Sequence, residues 1–272
     1  MKRADGKMER GILFKAPMVL AIIDNRKTMT RRVCDVQPFF VEDQGLWHAF
    51  YPWGDGGHGM YETKEEMMDE AWPLLLARCP YGKVGDILYV RETFSGPDWL
   101  MDVPPSEWGK NQRIWYWADG DPLAGDWTWP KPSIHMPRWV SRIDLEITGV
   151  RIEWLQDISE EDALAEGLHE ELNCIIGCHC NGGYHQEITG DRYFYDGGNE
   201  EGYLDPVNAF SALWDSINAA PSPVKNNGKI TSYLSYPWED VRARREHRGK
   251  AWQVYGNPLV YVVEFKKVEK ER

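Results

Sequence analysis

The sequence predicts an α+β fold: a small mixed β-barrel with flanking helices and long loop insertions. Three observations lead there. Apolar residues alternate over short stretches as in half-buried strands, and two segments carry helix caps ahead of apolar positions. Long runs rich in Gly, Pro and Trp separate these elements. A chain of 272 residues can bury a sizeable core, so it reads as a single domain over 1–272, with insertions at about 35–82, 95–138, 173–204 and 219–256.

Taken in order, "GILFK" (11–15) is a short strand and "APMVLAIIDN" (16–25) a helical turn or two. "GDILYVRETF" (85–94) opens on a Gly-Asp turn and sets Ile87, Tyr89 and Arg91 against Leu88, Val90 and Glu92, the alternation of a half-buried strand. "SRIDLEITGVRIEWL" (141–155) is a long strand with Ile143, Leu145 and Ile147 on one face and a bend at Gly149. In "SEEDALAEGL", Ser159 caps a helix, Asp162 stands where a capping box has its acid, and Glu160 and Glu161 suit the positive end of the macrodipole. "DPVNAFSALWDSIN" is a second capped helix: Asp205 caps, Pro206 fits the first turn, and Phe210, Leu213, Trp214 and Ile217 form a stripe. "NPLVYVVEFKKV" (257–268) closes the chain as a strand, giving the order β, α, β, β, α, α, β.

Composition narrows the function. A formal net charge of −12 argues against coating duplex nucleic acid, which needs Lys and Arg to neutralise phosphates. The positive charge is local, in "RKTMTRR" (26–32) and "RARREHRGK" (242–250), on an otherwise acidic body. No apolar run approaches the roughly 20 residues that span a bilayer, and "MKRADGKMERG" lacks the apolar centre of a signal peptide. The expectation is a cytoplasmic protein without a membrane partner. Fourteen tryptophans fill a core but also suit base stacking.

Three constellations carry chemistry. In "DNRKTMTRR", Lys27 and Thr30 are three apart and would share one face of a helical turn, where a lysine with a lowered pKa can take the threonine proton. Arg26, Arg31 and Arg32 would press that pKa down, or contact a phosphate. The plainer reading is a basic helix end complementing the dipole. Glu166, four residues beyond Asp162 and on its face, is a carboxylate that could oppose Lys27 or shuttle protons. Second, "CIIGCHCNGGYH" offers Cys174, Cys178, Cys180 and His185 as a tetrahedral, structural zinc site, the alternative being a loop of reduced thiols. Third, Arg91 on its strand serves an ion pair or a phosphate, and Trp139, between Arg138 and Arg142, packs in the core or stacks on a base.

Together "RKTMTRR", "GDILYVRETF", "IHMPRWVSRIDLEITGVRIEWLQDISEEDALAEGL", "FSALWDSIN" and "NPLVYVVEFKKV" resemble the ASCH-domain proteins of the PUA-like superfamily, in particular the long versions of phages and prophages. The matching pieces cover a little under half of the chain. The resemblance implies a β-barrel whose cleft takes RNA or a nucleoside. Small bacterial ASCH proteins hydrolyse the amide of N4-acetylcytidine with a Lys, a Thr three residues later and a Glu on the following helix. On that pattern Lys27 activates Thr30, Thr30 attacks the acyl carbon, and Glu166 assists proton transfer to the leaving amine, with no catalytic cofactor. The small enzymes are about a hundred residues long, so the insertions here depart from them. Other members of the family bind RNA or cleave it, which keeps a non-catalytic RNA- or DNA-binding module, or a ribonuclease, as the alternative.

Overall fold

A computed structural model of the chain describes residues 6–41, 44–50, 58–122, 124–180, 183–195, 202–226, 229–239, 242–247 and 250–268. The first half contains β1 (Glu9–Leu13), α1 (Ala16–Ile23), β2 (Met29–Val33), β3 (Phe39–Val41), β4 (Leu46–Phe50), β5 (His58–Tyr61) and α2 (Lys64–Ala77). Then come β6 (Ile87–Arg91), β7 (Phe94–Ser95), β8 (Trp115–Tyr116), β9 (Asp144–Trp154) and α3 (Glu160–Ala165). The remainder is β10 (His169–Cys180), β11 (Gly183–Phe194), α4 (Pro206–Asn218), β12 (Ser222–Asn226), β13 (Lys229–Ser235), β14 (Arg242–His247), β15 (Lys250–Tyr255) and β16 (Leu259–Val268). The fold is mixed α+β, and among the described residues no sheet closes on itself.

The principal sheet runs β1-β6-β9-β16-β2. β1 and β6 are parallel, with Glu9 opposite Ile87, and β6 and β9 antiparallel, with Ile87 opposite Glu146. β16 is buried without a break from Leu259 to Val263, as a strand covered on both faces must be. β9 runs through Gly149 as one strand; a Cβ there would meet the Glu264 carboxylate at 2.5 Å. The glycine therefore admits a neighbouring side chain.

The chain divides into two compact units. Met1–Thr30, Cys79–Val150 and Val263–Arg272 form the first, cored by Ile12, Phe14, Val19, Ile22, Leu88, Val90, Leu145 and Phe265. Within it, residues 95–138 have a satellite core of Leu100, Trp108 and Met136 packed with Phe94 and Val140. Arg31–Arg78 and Arg151–Val262 form the second, in which Trp154, Leu155, Phe210, Trp214 and Leu259 are buried.

The stretches read as irregular carry regular structure. Residues 35–82 hold the sheet β3-β4-β5 and α2, which Thr63 caps by accepting from the Glu66 N–H. Pro73, which cannot donate a backbone hydrogen bond, lies inside α2 and obscures its period in the sequence. Residues 173–204 contribute to the hairpin β10-β11, and 219–256 to the sheet β12-β13-β15-β14. Among the described residues no helix is long and apolar enough to cross a membrane.

Candidate functional site

The basic stretch is not a helix end. α1 stops at Ile23, Asn25 takes a positive φ of 60°, and the Arg26 and Lys27 N–H groups both turn back to the Ala21 carbonyl at 2.8 and 3.0 Å. From there the chain is extended: the Thr28 carbonyl accepts from Phe265 N–H at 2.8 Å, and β2 begins at Met29. This corrects the expectation of a helical turn over Lys27 and Thr30: the stretch is extended, so a strand's alternation and not a 3.6-residue period governs where its side chains go. Lys27 and Thr30 are only 2% and 4% exposed, whereas a basic helix end would be solvated. The Lys27 ammonium lies 5.8 Å from the centre of the Phe14 ring. Arg26 remains near the surface, 3.3 Å from Asp24.

In the second unit the next residue, Arg31, is the centre of a charge cluster. Its side chain is 0% exposed. Nε donates to Glu153 at 2.9 Å, one terminal nitrogen to Glu153 and Asp162 at 2.5 and 2.7 Å, and the other to Glu166 at 3.3 Å. The Phe210 ring lies 5.7 Å away. Arg151 joins from two residues before Glu153, bonding Glu153 at 3.0 Å and also Asp162. Two guanidinium groups thus face three carboxylates. Burial alone would depress the Arg31 pKa; Glu166, Glu153 and the hydrogen bonds to Asp162 and Glu153 outweigh it and raise the pKa above its ordinary value.

Local sequence explains the arrangement. Ser159 caps α3 by accepting from the Asp162 N–H at 3.2 Å, and the helix is short enough that Glu166 becomes its C-cap. Asp162 and Glu166 are four apart and reach the same guanidinium, as one helix face allows. The Asp162 carboxylate, expected to complete a capping box, bonds Arg31 and Arg151. Arg31, expected to contact substrate, has all three guanidinium nitrogens on carboxylates, and its role is to hold Glu166, Glu153 and Asp162 in place. Sequence reasoning missed Glu153 and Arg151; the signal was their spacing of two on a strand, which puts both on one face.

The other expected residues are dispersed. Arg32 is half-buried on β2. Arg91 donates to the Ile134 carbonyl. Its neighbour Glu92, buried at 2% exposure, pairs with Arg142 at 2.9 and 3.0 Å; Arg142 also bonds Asp119 and lies 4.2 Å from the Tyr116 ring centre. Burial raises the Glu92 pKa against the opposing pull of Arg142, and burial likewise pushes the Tyr116 phenol up to about 12. Trp139 packs against the satellite core of the first unit, where the plainer reading of the sequence places it. Arg138 beside it is engaged with Glu9 and Asp144 at 3.1 and 2.7 Å.

The zinc expectation lies outside the described residues as far as side chains go. Cys174, Cys178 and Cys180 belong to β10 and His185 to β11, in a hairpin that pairs Cys180 with Gly183. The side chains of "RARREHRGK" are likewise outside them; its backbone enters β14 and β15. Among the described residues no group of three or more His, Cys, Asp or Glu side chains is placed to hold a metal ion. Comparison of the chain with family models, curated proteins and solved structures finds no match.

Proposed function

We propose that this protein hydrolyses the amide of an acylated nucleobase, an N4-acetylcytidine-like substrate, on a PUA-like (ASCH) barrel. The observation that carries the reading is burial: Lys27, Thr30 and Glu166, the residues matching the motif, are 2%, 4% and 4% exposed. A solvated basic stretch and a solvated helix glutamate would leave all three in water. Burial keeps the three side chains out of bulk water, where a nucleophile and the groups that carry its proton can be held in fixed positions.

In this mechanism Lys27 accepts the proton of Thr30 as its Oγ1 bonds to the acyl carbon. The carbon–nitrogen bond then breaks, and the exocyclic nitrogen leaves with a proton relayed through Glu166. Water attacks the threonyl ester, releasing the carboxylic acid and restoring Thr30. No cofactor enters. Arg31 has a positioning role, through its bond to Glu166.

The test is mass spectrometry of N4-acetylcytidine after incubation with the protein. Wild type removes the acyl mass, Thr30→Ala does not, and Lys27→Ala slows turnover by about 10²- to 10⁴-fold, the usual contribution of acid–base catalysis. Turnover that survives in folded Thr30→Ala protein rules the nucleophile out. Folded wild type that leaves every N4-acylated cytosine intact shifts the reading to the non-catalytic nucleic-acid-binding alternative.

A further inference from the structure

Residues 95–138 form an open cleft of about 540 Å³ lined by Arg113, Ile114, Trp115, Ala124 and Trp127. Its volume lies in the range of small-ligand sites. The two indole rings are 5.9 Å apart between centroids and inclined at 48°. Neither ring nitrogen is available to orient a ligand: Trp115 donates to the Gly120 carbonyl at 3.0 Å and Trp127 to the Ala124 carbonyl at 3.1 Å. What the cleft offers is therefore indole surface. Arg113 brings a cation, its guanidinium 5.6 Å from the centre of the Trp127 ring.

The cleft is built, and the rings are held from behind. Trp115 is in β8, opposite Ser95 of β7, and Trp127 bridges to Pro97. The satellite core of Phe94, Leu100, Trp108, Met136 and Val140 supports both strands. Gly125, at φ +109°, seats the second indole; a Cβ there would lie 2.9 Å from the Trp127 nitrogen. In the same segment Trp99 and Trp129 are 69% and 77% exposed, far more than packing requires.

We infer that this cleft binds a nucleotide, the base stacking on Trp115 or Trp127 and the phosphate meeting Arg113. Pinned aromatic faces beside a cation match a π-surface joined to an anion. A cationic ligand would meet Arg113 as a like charge. One arginine, on a chain of net charge −12, fits one or a few unpaired nucleotides and not a duplex. The site goes beyond the proposed hydrolysis and shares no residue with it.

The test is an anisotropy titration of Thr30→Ala protein with fluorescein-labelled single-stranded oligothymidylate at low salt, with free thymidine monophosphate as competitor. No acyl group is present and the proposed nucleophile is removed, so failure here leaves the hydrolysis reading intact, and failure of hydrolysis leaves this one intact. Saturable binding is expected, weakened about 5- to 150-fold by Trp115→Ala, the usual cost of losing one base stack. Arg113→Ala, an exposed change that leaves the fold alone, is expected to weaken binding and reduce the salt slope by about one. Displacement by the mononucleotide identifies free nucleotide as the ligand; displacement only by unlabelled oligonucleotide identifies the strand. Absence of binding, or binding unchanged in Arg113→Ala, overturns the proposal.

Discussion

Arg31 and Arg113 lie over aromatic rings at nearly equal distances, 5.7 Å from Phe210 and 5.6 Å from Trp127, yet their situations are opposite. Arg31 is sealed from water and bonded to three carboxylates. Arg113 is exposed on the wall of an open cleft. A guanidinium cannot be desolvated without opposing charge, so the buried arginine is necessarily the committed one. The exposed arginine keeps its donors for a ligand. The stretch with the densest positive charge, "RKTMTRR", thus contains the arginine least able to grip a phosphate, and an unremarked loop contains one that can.

Removing Arg31 should produce the largest effect. Arg31→Ala removes the guanidinium shared by Glu153, Asp162 and Glu166 while Arg151 stays on Glu153 and Asp162, and breaking a buried pair in this way costs about 3–5 kcal/mol. Chemical denaturation of the variant at neutral pH measures it. Arg31→Lys should recover only part, because an ammonium cannot span three carboxylates as a planar fork does. A loss below about 1 kcal/mol, the scale of a surface ion pair, would erase the contrast between the two arginines.

Much of the scaffold was legible, and the reason is local. Ser159 and Asp205 announce their helices because a cap acts within three residues, and both side chains accept the expected N–H groups. Alternation over Ile87–Arg91 announces β6, because strand burial repeats every two residues. Lys27, Thr30 and Glu166 were picked out by chemistry and prove buried, but the backbone under the first two was misread. Four basic residues after an apolar helix look like its solvated end; what decides otherwise is the turn at Asn25 and pairing with Phe265, more than two hundred residues away. The Arg31 cluster was hidden for the same reason, its acids coming from β9 and α3. The Trp115–Trp127 cleft has no sequence period at all; it depends on turns that aim indole nitrogens at carbonyls of their own loops.

An intermediate effect should come from Asp86, which inverts the Arg31 arrangement by placing one acid among donors. The Met8 and Lys83 N–H groups reach its carboxylate at 3.0 and 3.2 Å, and Arg10 at 3.1 Å. Burial would raise its pKa, but the two backbone bonds and Arg10 prevail and lower it from the usual 3.8. A folded-state pKa below the unfolded value means that ionised Asp86 stabilises the fold above pH 3.8, and that this contribution fades as pH falls from there through the folded value. Asp86→Asn should cost about 1–3 kcal/mol near neutrality, and the difference from wild type should shrink on acidification below that point. A difference constant from pH 7 to pH 2 would mean that the charge contributes nothing.

The smallest expected effect sharpens the contrast most. Arg113→Ala should change stability by no more than about 0.5 kcal/mol, because an exposed side chain pays little to leave and strands no buried partner. The Trp127 indole nitrogen would still donate to the Ala124 carbonyl, and the satellite core does not include Arg113. The same substitution is expected to weaken nucleotide binding, so stability and affinity separate at this position. At Arg31 they cannot separate, since any loss of function there arrives with loss of the cluster that holds Glu166. Thermal denaturation of Arg113→Ala beside Arg31→Ala therefore reads which arginine supports the fold and which is held ready for a ligand. A large drop for Arg113→Ala would show that its place over Trp127 is structural, and the two arginines would differ only in how much water surrounds them.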